Sequence, residues 1–163
     1  MMVIGLGWNN FVRTHPTMSL GPAQPDLNDT EQRAHFSLWA MLAAPLLAGN
    51  DVRDMSPRTL AILTNREVIA VDQDPLGKQG YRVSQEGPFE VWMKPMQDGS
   101  KVVGLFNRQR TTEPITANWA QIGIHGPAAV HDLWLKQDVG TFKDSYRAYV
   151  PPHGVVLVRI RQK

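Results

Sequence analysis

The sequence predicts two parts of different class, an α/β part over residues 1–79 and an antiparallel β-sandwich over residues 80–163. Upstream of Pro75, an amphipathic segment, a short apolar run and two capped segments follow one another. That helix–strand–helix order is the unit of layered α/β folds and of β/α barrels. From Tyr81 onward, short β-prone runs alternate with turns, which is sandwich grammar.

Asn28, followed three residues later by Glu31, forms a capping box with Asn in the place of the usual Ser or Thr. A helix over residues 31–44 follows, because Phe36, Trp39 and Ala43 recur at i, i+3 and i+7 with Ala40 beside them. Arg33 and Ser37 fall toward its polar side, and its C-terminal end is apolar all round, so that end should be deeply packed. Residues 45–49, bounded by Pro45 and Gly49, suit a buried parallel strand that carries Asn50 and Asp51 at its C-terminal end. Ser56-Pro57 is a helix start, since Ser caps and Pro fits the first helical position. Two short helices are expected over residues 57–63 and 66–71, the second capped by Asn65, and Asp74-Pro75-Leu76-Gly77 is a turn.

In the second part, residues 89–93 alternate partly and Asp98-Gly99 turns the chain into a buried strand over residues 101–106. Further strands are expected over residues 115–119, 129–135, 145–150 and 155–160, with Pro151-Pro152-His153-Gly154 dividing the last two. There is no internal repeat. The first part supplies at most two strands, whereas a parallel sheet needs several neighbours and helices on both faces. The apolar helix around Trp39 is therefore short of partners, which predicts a truncated α/β part.

Composition removes several function classes. Hydrophobic residues make up 42% and charged residues 20%, as in a folded globular chain. The formal charge of +2 is scattered apart from Arg159, Arg161 and Lys163, too little for a nucleic-acid surface. No run approaches the ~18 apolar residues of a membrane-spanning helix. With no cysteine there is neither disulfide framework nor thiolate chemistry. His15, His35, His125, His131 and His153 show no metal-ligand spacing, and the glycines form no phosphate loop, so no metal or cofactor is expected. The first residues are too short and uncharged for a signal peptide; the signal of a secreted or periplasmic parent would lie upstream.

Longer motifs point to a family. The run from Ala34 to Asp51, its continuation Val52-Arg53-Asp54-Met55-Ser56-Pro57, and the stretch Asn65-Arg66-Glu67-Val68-Ile69-Ala70-Val71-Asp72-Gln73-Asp74-Pro75-Leu76-Gly77-Lys78-Gln79-Gly80 resemble the melibiases, retaining α-galactosidases of glycoside hydrolase family 27. Glu90-Val91-Trp92 and Pro151-Pro152-His153-Gly154-Val155-Val156-Leu157 resemble that family's C-terminal β-domain. The resemblance implies the last strands and helices of a (β/α)8 barrel over residues 1–79 and a Greek-key antiparallel β-sandwich over residues 80–163. Met1-Met2-Val3-Ile4-Gly5 matches the residues just after the pocket aspartate of the family's Trp-Asn-Asp-Pro-Asp-Met motif.

Retaining glycosidases use two carboxyl groups roughly 5–5.5 Å apart, one a nucleophile and one an acid/base. In the family these aspartates lie on earlier barrel strands, one in a Lys-x-Asp motif and one a few residues after an Arg, and residues 1–79 contain no Lys-x-Asp. The resemblance thus implies a C-terminal fragment with no catalytic residue of its own, inactive alone and completed by a missing N-terminal barrel part. Two residues are expected at the sugar: Met1, which the resemblance places against the pocket, and Trp8, which either stacks on sugar or simply packs. Asp51, at the end of a barrel strand, either supports the pocket or is a turn carboxylate beside Arg53, and the turn is favoured. Asp72 and Asp74 read as structural, Asp26 and Asp29 as helix-start acids, and Trp39, Trp92, Trp119 and Trp134 as core. The substrates implied are α-galactosides, and the family also includes enzymes for N-acetylgalactosamine and arabinopyranose. The competing class is a non-catalytic β-sandwich that binds carbohydrate or braces another domain, which an exposed row of Trp or Tyr on one sheet face would favour.

Overall fold

Local capping decides where the helices between residues 29 and 72 begin. In the computed structural model, which describes Ile4 and residues 27–162, helix α1 spans Asp29–Met41. Asn28 accepts from the backbone N–H groups of Thr30 and Glu31 while Glu31 accepts from that of Asn28, so the capping box is closed in both directions. Helix α2 spans Pro57–Leu63 behind the Ser56 cap, and α3 spans Arg66–Asp72 behind Asn65, which accepts from Glu67 and Val68.

Helix α1 ends earlier than its periodicity suggests. Ala43 turns to φ 49°, its N–H bonds to the Ala40 carbonyl, and the Ala44 N–H reaches back to Trp39. Those two bonds are a Schellman closure with alanine in the left-handed position normally given to glycine. Pro45 enforces the stop, because the residue before a proline avoids helical geometry. The strand expected over residues 45–49 is not there: Ala48 alone forms a bridge, and Leu47 is 63% exposed. A parallel strand is held by neighbours on both sides, and among the described residues no strand pairs along it.

Eight strands follow: β1 Tyr81–Glu86, β2 Phe89–Pro95, β3 Lys101–Asn107, β4 Glu113–Asn118, β5 Ala128–Asp132, β6 Gln137–Phe142, β7 Ser145–Val150 and β8 Val155–Gln162, with the short helix α4, Trp119–Ile122, between β4 and β5. Six of them form one sheet in the order β1-β2-β3-β8-β5-β6, and β4 pairs with β7 in a second, with every described pairing antiparallel. The antiparallel sandwich expected from the turn spacing is present. Trp119 begins α4 instead of ending a strand, and β6 is a strand the sequence pattern does not predict; its residues are almost all exposed and carry no alternation.

Alternation assigns the two faces of the large sheet. Val91, Met93, Val103, Leu105, Val130, Val158 and Ile160 point toward the small sheet and meet Ile115, Ala117, Tyr146 and Val150 there. Val102, Phe106, Val155 and Leu157 point the other way and meet Phe36, Ala40 and Met41 of α1, with Val68 and Val71 of α3. The large sheet is therefore a middle layer, which explains why β3 is buried along nearly its whole length. Gly104 packs against α1: a Cβ there would lie 2.9 Å from the Met41 sulfur and 2.6 Å from the Phe106 ring.

Candidate functional site

The segment expected to face the pocket is the turn after residue 49. Asp51 stands there in the open, its two oxygens receiving Nε and Nη2 of Arg53 at 2.9 and 2.7 Å, with the Arg53 backbone N–H on the same carboxylate at 3.0 Å. These hydrogen bonds hold its carboxyl down at about 2. An ion pair between neighbours on an exposed turn fixes the loop, which fits the turn role favoured for Asp51. Met1 and Trp8, the two residues expected at the sugar, lie outside the described residues, as does Asp26.

The other aspartates are held by the scaffold. Asp29 pairs with Arg58 of α2 at 2.9 Å. Asp74 accepts from the Leu76 N–H at 3.1 Å and the Gln97 N–H at 3.0 Å, tying the turn after α3 to the hairpin between β2 and β3. Asp72 is buried, takes one bond from the Gln73 amide, and its second oxygen finds no partner among the described residues. Burial pushes its carboxyl up from the ordinary range. Trp119 is a core residue, 2% exposed, while Trp39, Trp92 and Trp134 are half-buried against the helix–sheet core.

Sequence reasoning missed the polar residues on the helix side of the large sheet. Glu90, 2% exposed, accepts from Trp92 Nε1 at 2.7 Å, Arg108 at 2.9 Å and Arg82 at 3.4 Å. Three donors around one buried carboxylate meet the condition under which a buried charge is tolerated. Lys94, fully buried on the same strand, donates to the Lys78 carbonyl at 2.6 Å and so anchors the link from the helices to β1. Burial lowers its ammonium from the usual lysine range, with Asp74 and Asp72 partly opposing that. Gly80 closes the same link, its N–H on the Met41 carbonyl at 2.7 Å. A cavity of about 210 Å³ opens beside Glu90, walled by Leu38, Trp92 and Phe106. His35 also lines it, and burial depresses its imidazole. No group of three or more His, Asp or Glu among the described residues is arranged to hold a metal ion. The period-2 pattern of β2 was the one available signal, since Glu90, Trp92 and Lys94 share a face whose neighbours are apolar.

Two family models match: that for the α-galactosidase C-terminal β-sandwich domain over residues 86–160, and that for α-galactosidase A over residues 15–74. Between them they cover both parts of the chain in their expected order. The chain belongs to the melibiase family.

Among its relatives, an α-galactosidase of Oryza sativa subsp. japonica is 44% identical over 149 residues, which are 90% of this chain and 34% of the relative. The solved structure of α-galactosidase I from Mortierella vinacea superposes with a TM-score of 0.81 at 31% identity, over 84% of this chain and 36% of that one. A β-L-arabinopyranosidase of glycoside hydrolase family 27 from Geobacillus stearothermophilus gives 0.81 at 28% identity, over 98% of this chain and 36% of its own. The chain thus spans about a third of the length of the melibiases it matches.

Proposed function

We propose that this chain is the C-terminal part of an α-galactosidase, supplying the last elements of the barrel wall and the β-sandwich that braces them. The observation that carries this reading is the pair of family-model matches in sequence order, on a chain that spans about a third of its relatives. The parent reaction is double displacement on terminal α-linked galactose with retention at the anomeric carbon. Both carboxyl groups come from the preceding barrel strands, and this chain alone hydrolyses nothing. Met1 and Trp8 contribute to the wall of the sugar pocket. The division falls between residues 79 and 80, where the Lys94 and Gly80 contacts pin the link.

The partner of residues 1–79 is the N-terminal remainder of the barrel. Support comes from the apolar side chains left open on that side, Leu47 and Val52 at 63% and Leu60 at 46% exposure. Large apolar side chains left in water favour a covering surface. The alternative, a free-standing carbohydrate-binding sandwich, has less behind it. Its exposed aromatics are Tyr81 on β1 and Tyr149 on β7, which lie in different sheets. An assay of the purified chain with a chromogenic α-galactoside tests the reading, with galactose titrated calorimetrically in parallel. No turnover and no heat are expected; turnover would place a catalytic pair within these residues, and galactose binding without turnover would favour the free-standing module.

A further inference from the structure

His131 joins three elements. It lies on β5 opposite Asp138 of β6, its register partner, and its Nδ1 is 2.7 Å from Asp138 Oδ1. Its Nε2 is 2.9 Å from Oε2 of Glu67, in the first turn of α3. A neutral imidazole carries one N–H, so it can donate to one of these carboxylates and must turn a lone pair toward the other. The imidazolium donates to both. A histidine held between two carboxylates therefore has a fully bonded state only when charged.

The surroundings leave that preference intact. Arg159 of β8 is the other register neighbour of His131, and its guanidinium is already committed to Asp98 at 3.0 Å and the Ser100 hydroxyl at 2.8 Å. Asp132, next on β5, turns to the opposite face and takes the N–H groups of Trp134 and Leu135 at 2.8 Å. Alongside runs one contact that no proton controls: the Asn65 amide donates to the Leu133 carbonyl at 3.0 Å. The start of α3 is thus fastened to the sandwich by one fixed clip and one that depends on a proton.

We propose that His131 is a protonation-controlled clamp, which fastens α3 to the sandwich at acidic pH and loosens it as the pH rises. The hydrogen bond to Asp138 is the main cause that raises the imidazole above its ordinary value, with Glu67 adding to it against the effect of burial. A raised folded-state value means that the stabilisation is complete below the unfolded value of about 6.5 and is lost as pH rises through the folded one.

The test is the NMR titration of the histidine rings in the 163-residue chain, with amide exchange of α3 followed from about pH 5 to about pH 9, a range that brackets the ordinary histidine value. The expected result is a His131 midpoint above about 6.5, and α3 protection that falls several-fold beyond the intrinsic base-catalysed rise as that midpoint is passed. Glu67→Gln should lower the midpoint by about half a unit, the scale of a partly exposed ion pair, and flatten the change in protection. His131→Gln should abolish it. A midpoint at or below about 6.5, or protection with the same pH dependence in Glu67→Gln, would overturn the proposal. The wild-type and Glu67→Gln results decide it even where His131→Gln does not fold.

Discussion

The indole Nε1 of Trp134 donates to the hydroxyl of Ser37 at 2.9 Å, joining the turn after β5 to the middle of α1 across 97 residues of sequence. Ser37 is fully buried and passes its own hydrogen to the Arg33 carbonyl at 2.7 Å, while the Arg33 guanidinium lies 5.5 Å from the centre of the Trp134 ring. A serine inside a helix is neutral at best on propensity grounds. Here its hydroxyl gives a polar indole edge a partner within the helix–sheet contact. Ser37→Ala removes that partner and leaves the indole N–H unpaired in a half-buried site. The expected loss is ~1–2 kcal/mol, read as a lower urea midpoint at unchanged slope. A midpoint that does not move would mean the indole finds water as readily.

Ala43 carries the opposite expectation. It occupies the left-handed position of the α1 C-terminus, with φ 49°. A Cβ in that conformation costs roughly 1 kcal/mol or more, which glycine avoids. Glycine gives part of this back in unfolded-chain entropy. Ala43→Gly should therefore stabilise the chain by about 0.5 kcal/mol, seen as a small rise in Tm. A fall in Tm would show that the Ala43 methyl packs more than it strains.

The acid limb of stability should depend on Asp98. The Ser100 hydroxyl is the main cause holding its carboxyl at about 2, with the Ser100 N–H and Arg159 adding to it. A depressed folded-state value contributes stability that is present above the unfolded value of about 3.9 and is lost as pH falls through the folded one. Asp98→Asn should lower Tm at about pH 6 and narrow the drop in Tm between about pH 5 and about pH 2.5, the window of carboxylate protonation. An unaltered drop would show that Asp98 is not one of the groups whose protonation unfolds the chain in acid. His131 acts at the other end of the pH range and with the opposite sign.

The part of the fold legible in the sequence was local. Asn28 with Glu31, Ser56 with Pro57, and Asn65 each predict a helix start, because a cap is satisfied within three residues and needs no distant partner. β3 and β8 were legible to within two residues at one end, because their apolar content reflects burial, and β7 to the residue, with Tyr146 and Val150 buried on one face. Strand β6 was not, because five of its six residues face solvent and its place at a sheet edge is set by β5. The run from Pro45 to Gly49 has the composition of a buried strand, but composition does not supply the neighbours a parallel strand needs.

The polar contacts were illegible for the same reason. Glu67 and His131 are 64 residues apart, and Lys94 reaches back to Lys78 across a strand. Only the fold puts those partners together. The Asp51–Arg53 pair was legible because its partners are two residues apart, and it matches the turn reading favoured for Asp51.

The central claim is that these residues complete a melibiase without carrying its chemistry. The most direct measurement is a chimera in which this chain replaces the matching C-terminal third of the rice α-galactosidase. It would be assayed with a chromogenic α-galactoside beside this chain alone and the rice protein cut before that third. Turnover by the chimera and by neither part is the expected result. Turnover by this chain alone, or a folded chimera that lacks it, would contradict the account.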